Sequence, residues 1–195
     1  MLVSDRRAHP SLALPDLARA AAAAGVDALQ VREKDLHGRA LLALVREVVA
    51  AGAGSALRVI VNGRPDVARL AGAAGVHLPA RGLPAGDVRA AFPGLTVGVS
   101  CHGLDEARRA EQDGAHYVVL GPVFATGAKD RPLGLDALGE AVRALSLPVV
   151  AIGGIDAARA GAVWERGPAA IAAIRAFLAA PLPEAARALR DAPPA

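Results

Sequence analysis

The chain has 195 residues, is 53% hydrophobic and carries a net charge of +3, which predicts one soluble domain spanning residues 1–195 around a single core. Its basic residues are scattered among acidic ones and only 3% of residues are aromatic, which argues against a nucleic-acid-binding surface. The single cysteine, Cys101, excludes an internal disulfide and a cysteine cluster for zinc, and favours a reducing cytoplasm. The apolar stretch 18–24 is too short to span a bilayer and follows no basic segment, so we predict neither a signal peptide nor a membrane partner.

Short apolar runs, typical of strands buried on both faces, alternate with Ala-rich and Arg-rich segments of helical character. In chain order, the predicted strands cover residues 2–4, 28–32, 58–62, 76–78, 96–100, 117–121, 148–152 and 170–174. The predicted helices cover residues 15–24, 38–51, 65–73, 84–91, 104–112, 135–145, 156–165 and 183–190. A glycine follows four of these helices. Glycine commonly ends a helix because it readily adopts a left-handed backbone conformation.

Eight alternating strands and helices predict an α/β fold, a single (β/α)8 TIM barrel. A doubly wound open sheet has the same local alternation and is the alternative. Since the chain is slightly shorter than most barrels of this kind, its loops must be short. We expect residues 191–195 to form a frayed tail.

Polar side chains collect at the carboxyl ends of the predicted strands, where such barrels carry their chemistry. The candidates are Gln30, Arg32, Lys34, Asn62, His77, Ser100, His102, Thr126, Lys129 and Arg175. The chain has only two lysines beside 20 arginines, and both are in this set.

The segment "QVREK" places Gln30, Arg32 and Lys34 at alternate positions. If the strand continues, all three point into the barrel mouth. An arginine and a lysine there suit an anionic ligand, because arginine binds phosphate with two parallel bonds and lysine acts as a compact charge. The alternative is an ordinary solvated ion pair between Arg32 and Glu33.

A second anion site is predicted where "IGGI" follows the seventh strand. Gly153 and Gly154 leave backbone N–H groups free to approach a phosphate, although a Gly-Gly pair alone is more often a tight turn. His77 and His102 are the histidines best placed for proton transfer, with a structural hydrogen-bonding role as the alternative for each. We interpret Cys101 as a packing residue.

Four segments resemble the thiamine phosphate synthase and TenI superfamily along nearly the whole chain. They are "LQVREKD", "VIVNGRPDVARLAGAAGVHL", "VGVSCHGLDEARRAEQDGAHYVVLGPVFATGAKDRPLG" and "VVAIGGI". The resemblance implies a (β/α)8 barrel. It also implies contacts to a pyrimidine and its diphosphate from Gln30, Arg32, Lys34, Asn62, Ser100, Thr126 and Lys129. Gly153 and Gly154 would then bind thiazole phosphate, and the synthases of this family use magnesium.

The chain departs from the synthase pattern at several positions. Where synthases have two aspartates, this chain has Gly63 and Gly82. Ala128 replaces an expected threonine and Arg175 replaces an expected serine, so that Arg175 is a candidate phosphate clamp. Loss of both acids should impair a magnesium site, because this ion prefers oxygen ligands such as carboxylates.

These departures favour the TenI-like branch, which is similar in fold but isomerises thiazole phosphate carboxylate to its aromatic tautomer by proton transfer. The histidine of that branch's "GHVF" is Pro122 here, so His102, His77 and Lys129 are the candidate catalytic residues. We therefore expect a thiazole tautomerase that binds thiazole phosphate and needs no cofactor. One alternative is a synthase, with magnesium held by Asp66 or Asp87; the other is a non-catalytic binding barrel. The sequence leaves homo-oligomerisation open.

Overall fold

Eight parallel strands pair in chain order in this computed structural model, which describes residues 1–8, 12–127 and 131–192 except the side chain of Leu178. The strands are β1 (Leu2–Val3), β2 (Ala28–Val31), β3 (Arg58–Asn62), β4 (Gly75–Leu78), β5 (Thr96–Cys101), β6 (Tyr117–Leu120), β7 (Val149–Ile152) and β8 (Ala170–Ala172). A parallel bridge joins Leu2 to Ala173, and the N–H of Val3 donates to the carbonyl of Ala173 at 3.0 Å. Because the last strand thus returns to the first, the predicted (β/α)8 barrel is confirmed over the open sheet.

A helix follows each strand. The helices are α1 (Leu14–Ala23), α2 (Gly38–Gly52), α3 (Pro65–Ala71), α4 (Ala85–Ala91), α5 (Leu104–Gln112), α6 (Leu135–Ala144), α7 (Ala157–Trp164) and α8 (Leu182–Arg190). Local chemistry fixes some of the helix starts: Asp156 caps α7 by accepting from the N–H of Arg159 at 3.1 Å, and Pro65 begins α3. None of the described helices has the length and apolar character needed to cross a membrane.

A short 3-10 helix, Arg175–Leu178, lies between β8 and α8 and was not predicted. The sequence analysis extended the last strand to residue 174, whereas β8 ends at Ala172 and the 3-10 helix begins at Arg175. Ile174 already has helical backbone angles, φ −109° and ψ −70°. The turn brings Arg175 to the carboxyl end of the barrel, and residues 193–195 of the predicted tail lie outside the described residues.

Alternate residues of each strand face the surrounding helices and the barrel interior. Outward-facing residues such as Val61 and Val97 pack with the helices in a large buried cluster. A smaller buried cluster lies inside the barrel and consists of Val3, Tyr117, Val119, Val150 and Ala172. The apolar runs of the sequence are therefore explained by burial on both faces of the sheet.

The barrel interior is divided into a polar half and an apolar half. Strands β2 to β5 contribute Gln30, Asn62, His77 and Ser100, whereas the apolar cluster comes from β6, β7, β8 and β1. The ring of Tyr117 lies against Gly98, where a Cβ atom would stand only 2.1 Å from the ring's Cζ. This packing gives the barrel a solid interior and leaves the carboxyl ends open to form the site.

Candidate active site

A cavity of about 520 Å³ opens at the carboxyl ends of the strands. This size is typical of a pocket for a small molecule. Ten of the twelve predicted site residues line it: Gln30, Arg32, Asn62, His77, Ser100, His102, Thr126, Gly153, Gly154 and Arg175. Lys34 lies beside it, and Lys129 lies outside the described residues.

Two side-chain pairs form the polar wall of the cavity. Nε2 of Gln30 donates to Oδ1 of Asn62 at 3.1 Å, and Nε2 of His77 lies 2.7 Å from Oγ of Ser100. Burial, with a smaller contribution from the positive charge of Arg32, lowers the pKa of His77 to about 4. His77 is therefore neutral near pH 7, which fits it to orient the Ser100 hydroxyl rather than to carry a positive charge.

Two buried polar atoms near this wall have no partner among the described residues: Nδ1 of His77 and the hydroxyl oxygen of Tyr117. The two rings are neighbours, with centroids 5.9 Å apart. Cys101 is also buried, and burial raises the pKa of its thiol to about 12. A thiol in this state is a poor nucleophile, which agrees with its interpretation as a packing residue.

Glu33 anchors the loop after β2 and was missed as a site residue. Its buried carboxylate accepts from Oγ of Ser4 at 2.6 Å and from the N–H of Arg6 at 3.3 Å. Oγ of Ser4 in turn accepts from the N–H of Arg32 at 2.9 Å. Glu33 therefore belongs to an internal network and does not form the solvated pair with Arg32 that was the alternative, and this network fixes the backbone of Arg32 at the cavity rim.

Lys34 lies beyond the end of β2, so the alternation of strand side chains does not extend to it. β2 ends at Val31, because the next N–H, that of Arg32, bonds to the Ser4 side chain instead of a neighbouring strand. Lys34 is exposed and lines two grooves beside the cavity. One of these grooves also contains Arg32, and the other contains Asn62, Gly63 and Arg64.

The glycine turn after β7 packs closely against the loop after β6. Gly153 and Gly154 have φ angles of +101° and +66°. A Cβ at Gly153 would stand 2.5 Å from Cα of Pro122, and one at Gly154 would stand 2.7 Å from Cβ of Phe124. Both positions therefore require glycine. Neither glycine N–H donates to a described residue, which leaves both available to an anion.

Two further side chains reach the cavity from its rim. Arg175 donates from its guanidinium to the carbonyl of Thr126 at 3.3 Å, which links the loops after β8 and β6. Nδ1 of His102 lies 3.1 Å from Oε2 of Glu106, in the first turn of α5. The guanidinium of Arg175 can meet a phosphate, while the exposed imidazole of His102 is already engaged by a carboxylate.

The described residues do not fit a magnesium ion. No aspartate or glutamate is among the described residues that line the cavity, and no cluster of three potential ligands from His, Cys, Asp and Glu occurs in the described chain. Asp66 forms a two-point pair with Arg64, and Asp87 is an exposed residue of α4 that does not line the cavity. Neither supplies the oxygen ligands that magnesium needs.

Comparison with known proteins places the chain in a family. The family model described as "Thiamine monophosphate synthase" matches residues 1–177. The chain belongs to this family. It is 40% identical to the thiamine-phosphate synthase of Roseiflexus castenholzii, over 97% of this chain and 86% of the relative. It is 47% identical to that of Anaeromyxobacter dehalogenans, over 90% of this chain and 80% of the relative.

A solved structure agrees with this membership. The thiamine phosphate pyrophosphorylase of Pyrococcus furiosus superposes with a TM-score of 0.89 at 33% identity, covering 97% of this chain and 92% of that one. The family resemblance is thus confirmed, but the predicted thiazole tautomerase is wrong, because the similar curated proteins are named as synthases. The TenI-like assignment gave most weight to a few local replacements, such as Gly63 and Gly82, while the similarity extends over nearly the whole chain.

Proposed function

We propose that this chain is a transferase of thiamine biosynthesis that joins a pyrimidine diphosphate to thiazole phosphate and releases pyrophosphate. Membership of the synthase family and the synthase names of relatives at 40 to 47% identity support this activity. The observation that carries the proposal is that one cavity combines polar side chains, arginine side chains and a glycine turn. Two substrates that each carry phosphate need two anion-binding regions in the same cavity.

The proposed reaction breaks the bond between the pyrimidine methylene carbon and the bridging diphosphate oxygen. The electron pair leaves with pyrophosphate, and the lone pair of the thiazole nitrogen forms the new carbon–nitrogen bond. Negative charge grows on the leaving oxygen as the bond breaks. Cationic and N–H groups aimed at that oxygen lower the barrier, because they interact more strongly with the transition state than with the bound substrate.

Arg32 is the residue we assign to the leaving diphosphate. Its backbone is fixed by the Ser4 hydroxyl, which Glu33 holds in turn, and the residue lines the cavity. A guanidinium can bond two phosphate oxygens at once. The neutral pairs of Gln30 with Asn62 and of His77 with Ser100 lie on the same half of the interior and offer both donors and acceptors to the pyrimidine.

The thiazole phosphate is assigned to the opposite rim, where Gly153, Gly154 and Arg175 line the cavity. The glycine N–H groups donate to no described residue, and Arg175 reaches across to the Thr126 carbonyl. Binding at this rim brings the thiazole nitrogen towards the pyrimidine carbon and removes much of the entropic cost of the encounter.

A pyrophosphate-release assay tests the proposed function. With both substrates present, we expect catalytic release of pyrophosphate at a rate far above that with either substrate alone. Arg32→Ala should reduce kcat/KM by about 100-fold through loss of a charge-assisted pair, whereas Arg39→Ala, an exposed change on α2, should have no effect. Absence of release with both substrates would contradict the proposal.

A further inference from the structure

The described wall of the cavity carries positive charge without negative charge. Arg32 and Arg175 are its permanently charged side chains, and no carboxylate lines it. Magnesium is usually bound by one or two carboxylates together with substrate phosphates, whereas this wall offers only neutral oxygens, such as those of Asn62 and Ser100. Guanidinium and N–H groups bind phosphate oxygens directly.

The three carboxylates of the neighbouring groove each have a partner within the protein. Asp5, Glu33 and Asp35 line the groove that Arg32 and Lys34 share. Asp35 pairs with Arg6 and Arg7, and Oδ1 of Asp5 accepts from the N–H of Arg7 at 3.1 Å. Glu33 is held by the Ser4 hydroxyl and by Arg6.

The backbone also limits where a carboxylate could be added. A Cβ at Gly82 would stand 2.9 Å from both the carbonyl oxygen and Cδ of Pro79, so a side chain there requires the loop to move. At Gly63 the nearest atom to a Cβ is Cδ of Pro79 at 3.9 Å, which leaves room. Its φ of +66° is one that asparagine and aspartate tolerate better than most residues.

We propose that this site binds the diphosphate of its substrate through Arg32, Lys34 and neighbouring N–H groups, without a divalent cation. The inference rests on the proposed function, because it concerns the diphosphate end of the same site. Arg32 and Lys34 line one groove, and Lys34 also lines the groove that contains Asn62 and Gly63. Two cations on one rim offset part of the negative charge of the leaving pyrophosphate, which is the task that a metal ion would otherwise perform.

Calorimetry with inorganic pyrophosphate tests this inference on the full chain, in buffer with EDTA and in buffer with excess magnesium. We expect binding in EDTA, and equal or weaker binding with magnesium, because the ion competes with the protein's cations for the same phosphate oxygens. Affinity that is higher with magnesium by about tenfold or more would overturn the inference and leave the transferase proposal intact. No binding in either buffer would also overturn the inference, and the pyrophosphate-release assay would then decide the transferase proposal separately.

A pair of variants at one position gives a second test. Gly63→Asp adds a carboxylate to the groove that contains Lys34, and Gly63→Asn adds a side chain of the same shape without the charge. We expect Gly63→Asp to weaken pyrophosphate binding in EDTA by about tenfold and magnesium to restore it, while Gly63→Asn binds like the native chain. Equal affinities of the two variants in EDTA would remove the diphosphate from this rim and overturn the inference.

Discussion

Nε2 of His77 lies 2.7 Å from Oγ of Ser100, within the half of the barrel interior that also holds the Gln30–Asn62 pair. β4 and β5 are neighbours, and each contributes one of these inward-facing groups. The low pKa of His77 keeps its ring neutral, so the pair offers a substrate hydrogen bonds without a net charge. Charge in the cavity is thereby concentrated on the arginines at its rim.

The buried state of His77 should make stability depend on pH. Its pKa falls from an ordinary value of 6.5 to about 4 on folding. Between these values the unfolded chain binds a proton that the folded chain does not, so the free energy of unfolding declines as the pH falls from 6.5 towards 4. Titration of His77 does not affect the free energy of unfolding above pH 6.5. At a pH of about 4 it has lowered that free energy by about 3 kcal/mol.

Urea unfolding of the native chain and of His77→Gln, at about pH 7 and about pH 5, measures this effect. Glutamine keeps a group that can bond the Ser100 hydroxyl but does not titrate. The native chain should lose more stability than the variant on acidification. Equal losses would show that His77 does not carry the effect.

Close packing of Tyr117 on Gly98 should make that glycine irreplaceable. A Cβ at position 98 would overlap the ring, with only 2.1 Å to Cζ. Gly98→Ala should lower the free energy of unfolding by about 3 kcal/mol or more, as expected for overpacking. Gly103→Ala is the matched control, because Gly103 has an extended φ of −175° and no atom within 4 Å of the added Cβ. Thermal unfolding of both variants checks this, and similar melting temperatures would contradict it.

The architecture could be predicted because local signals determine it. Apolar runs such as Val59 to Val61 form strands that are buried on both faces of the sheet. Glycines with positive φ, such as Gly114 after α5, mark the ends of helices. The ends of strands could not be predicted, since tertiary contacts set them. β2 stops before Arg32 because the N–H of that residue bonds to Ser4, which is far away in sequence.

The site was only partly predictable for the same reason. The polar character of Gln30, Asn62, His77 and Ser100 was visible as a polar residue near the end of each apolar run. The role of Glu33 was not visible, because an acid after a strand looks solvated until Ser4 and Arg6 are brought to it. The placement of Arg175 depends on the 3-10 helix, for which the sequence analysis found no signal.

The Glu33 network should matter for both stability and turnover. Glu33→Gln replaces a charged acceptor of two bonds by a neutral amide, and it should lower the free energy of unfolding by about 2 kcal/mol. It should also reduce kcat/KM, because Ser4 fixes the backbone of Arg32. Glu47→Gln, an exposed change on α2, serves as the control. Urea unfolding and pyrophosphate release measure the two effects, and native values in both would exclude the anchoring role.

Arg175 should act on the thiazole phosphate and not on the diphosphate. Arg175→Ala should raise KM for thiazole phosphate by about tenfold and leave KM for the pyrimidine diphosphate nearly unchanged. Arg187→Ala on α8 changes an exposed arginine outside the cavity and should leave both constants unchanged. Steady-state kinetics with each substrate varied in turn would detect this split. A larger effect on the diphosphate substrate would reverse the assignment of the two rims.

The most direct test is mass spectrometry of the coupled product. The purified chain is incubated with pyrimidine diphosphate and thiazole phosphate, with magnesium or with EDTA, beside controls that lack protein. We predict thiamine phosphate at many turnovers per chain in both buffers. If the protein binds both substrates but forms no product in either buffer, the assignment of this barrel as a transferase is contradicted.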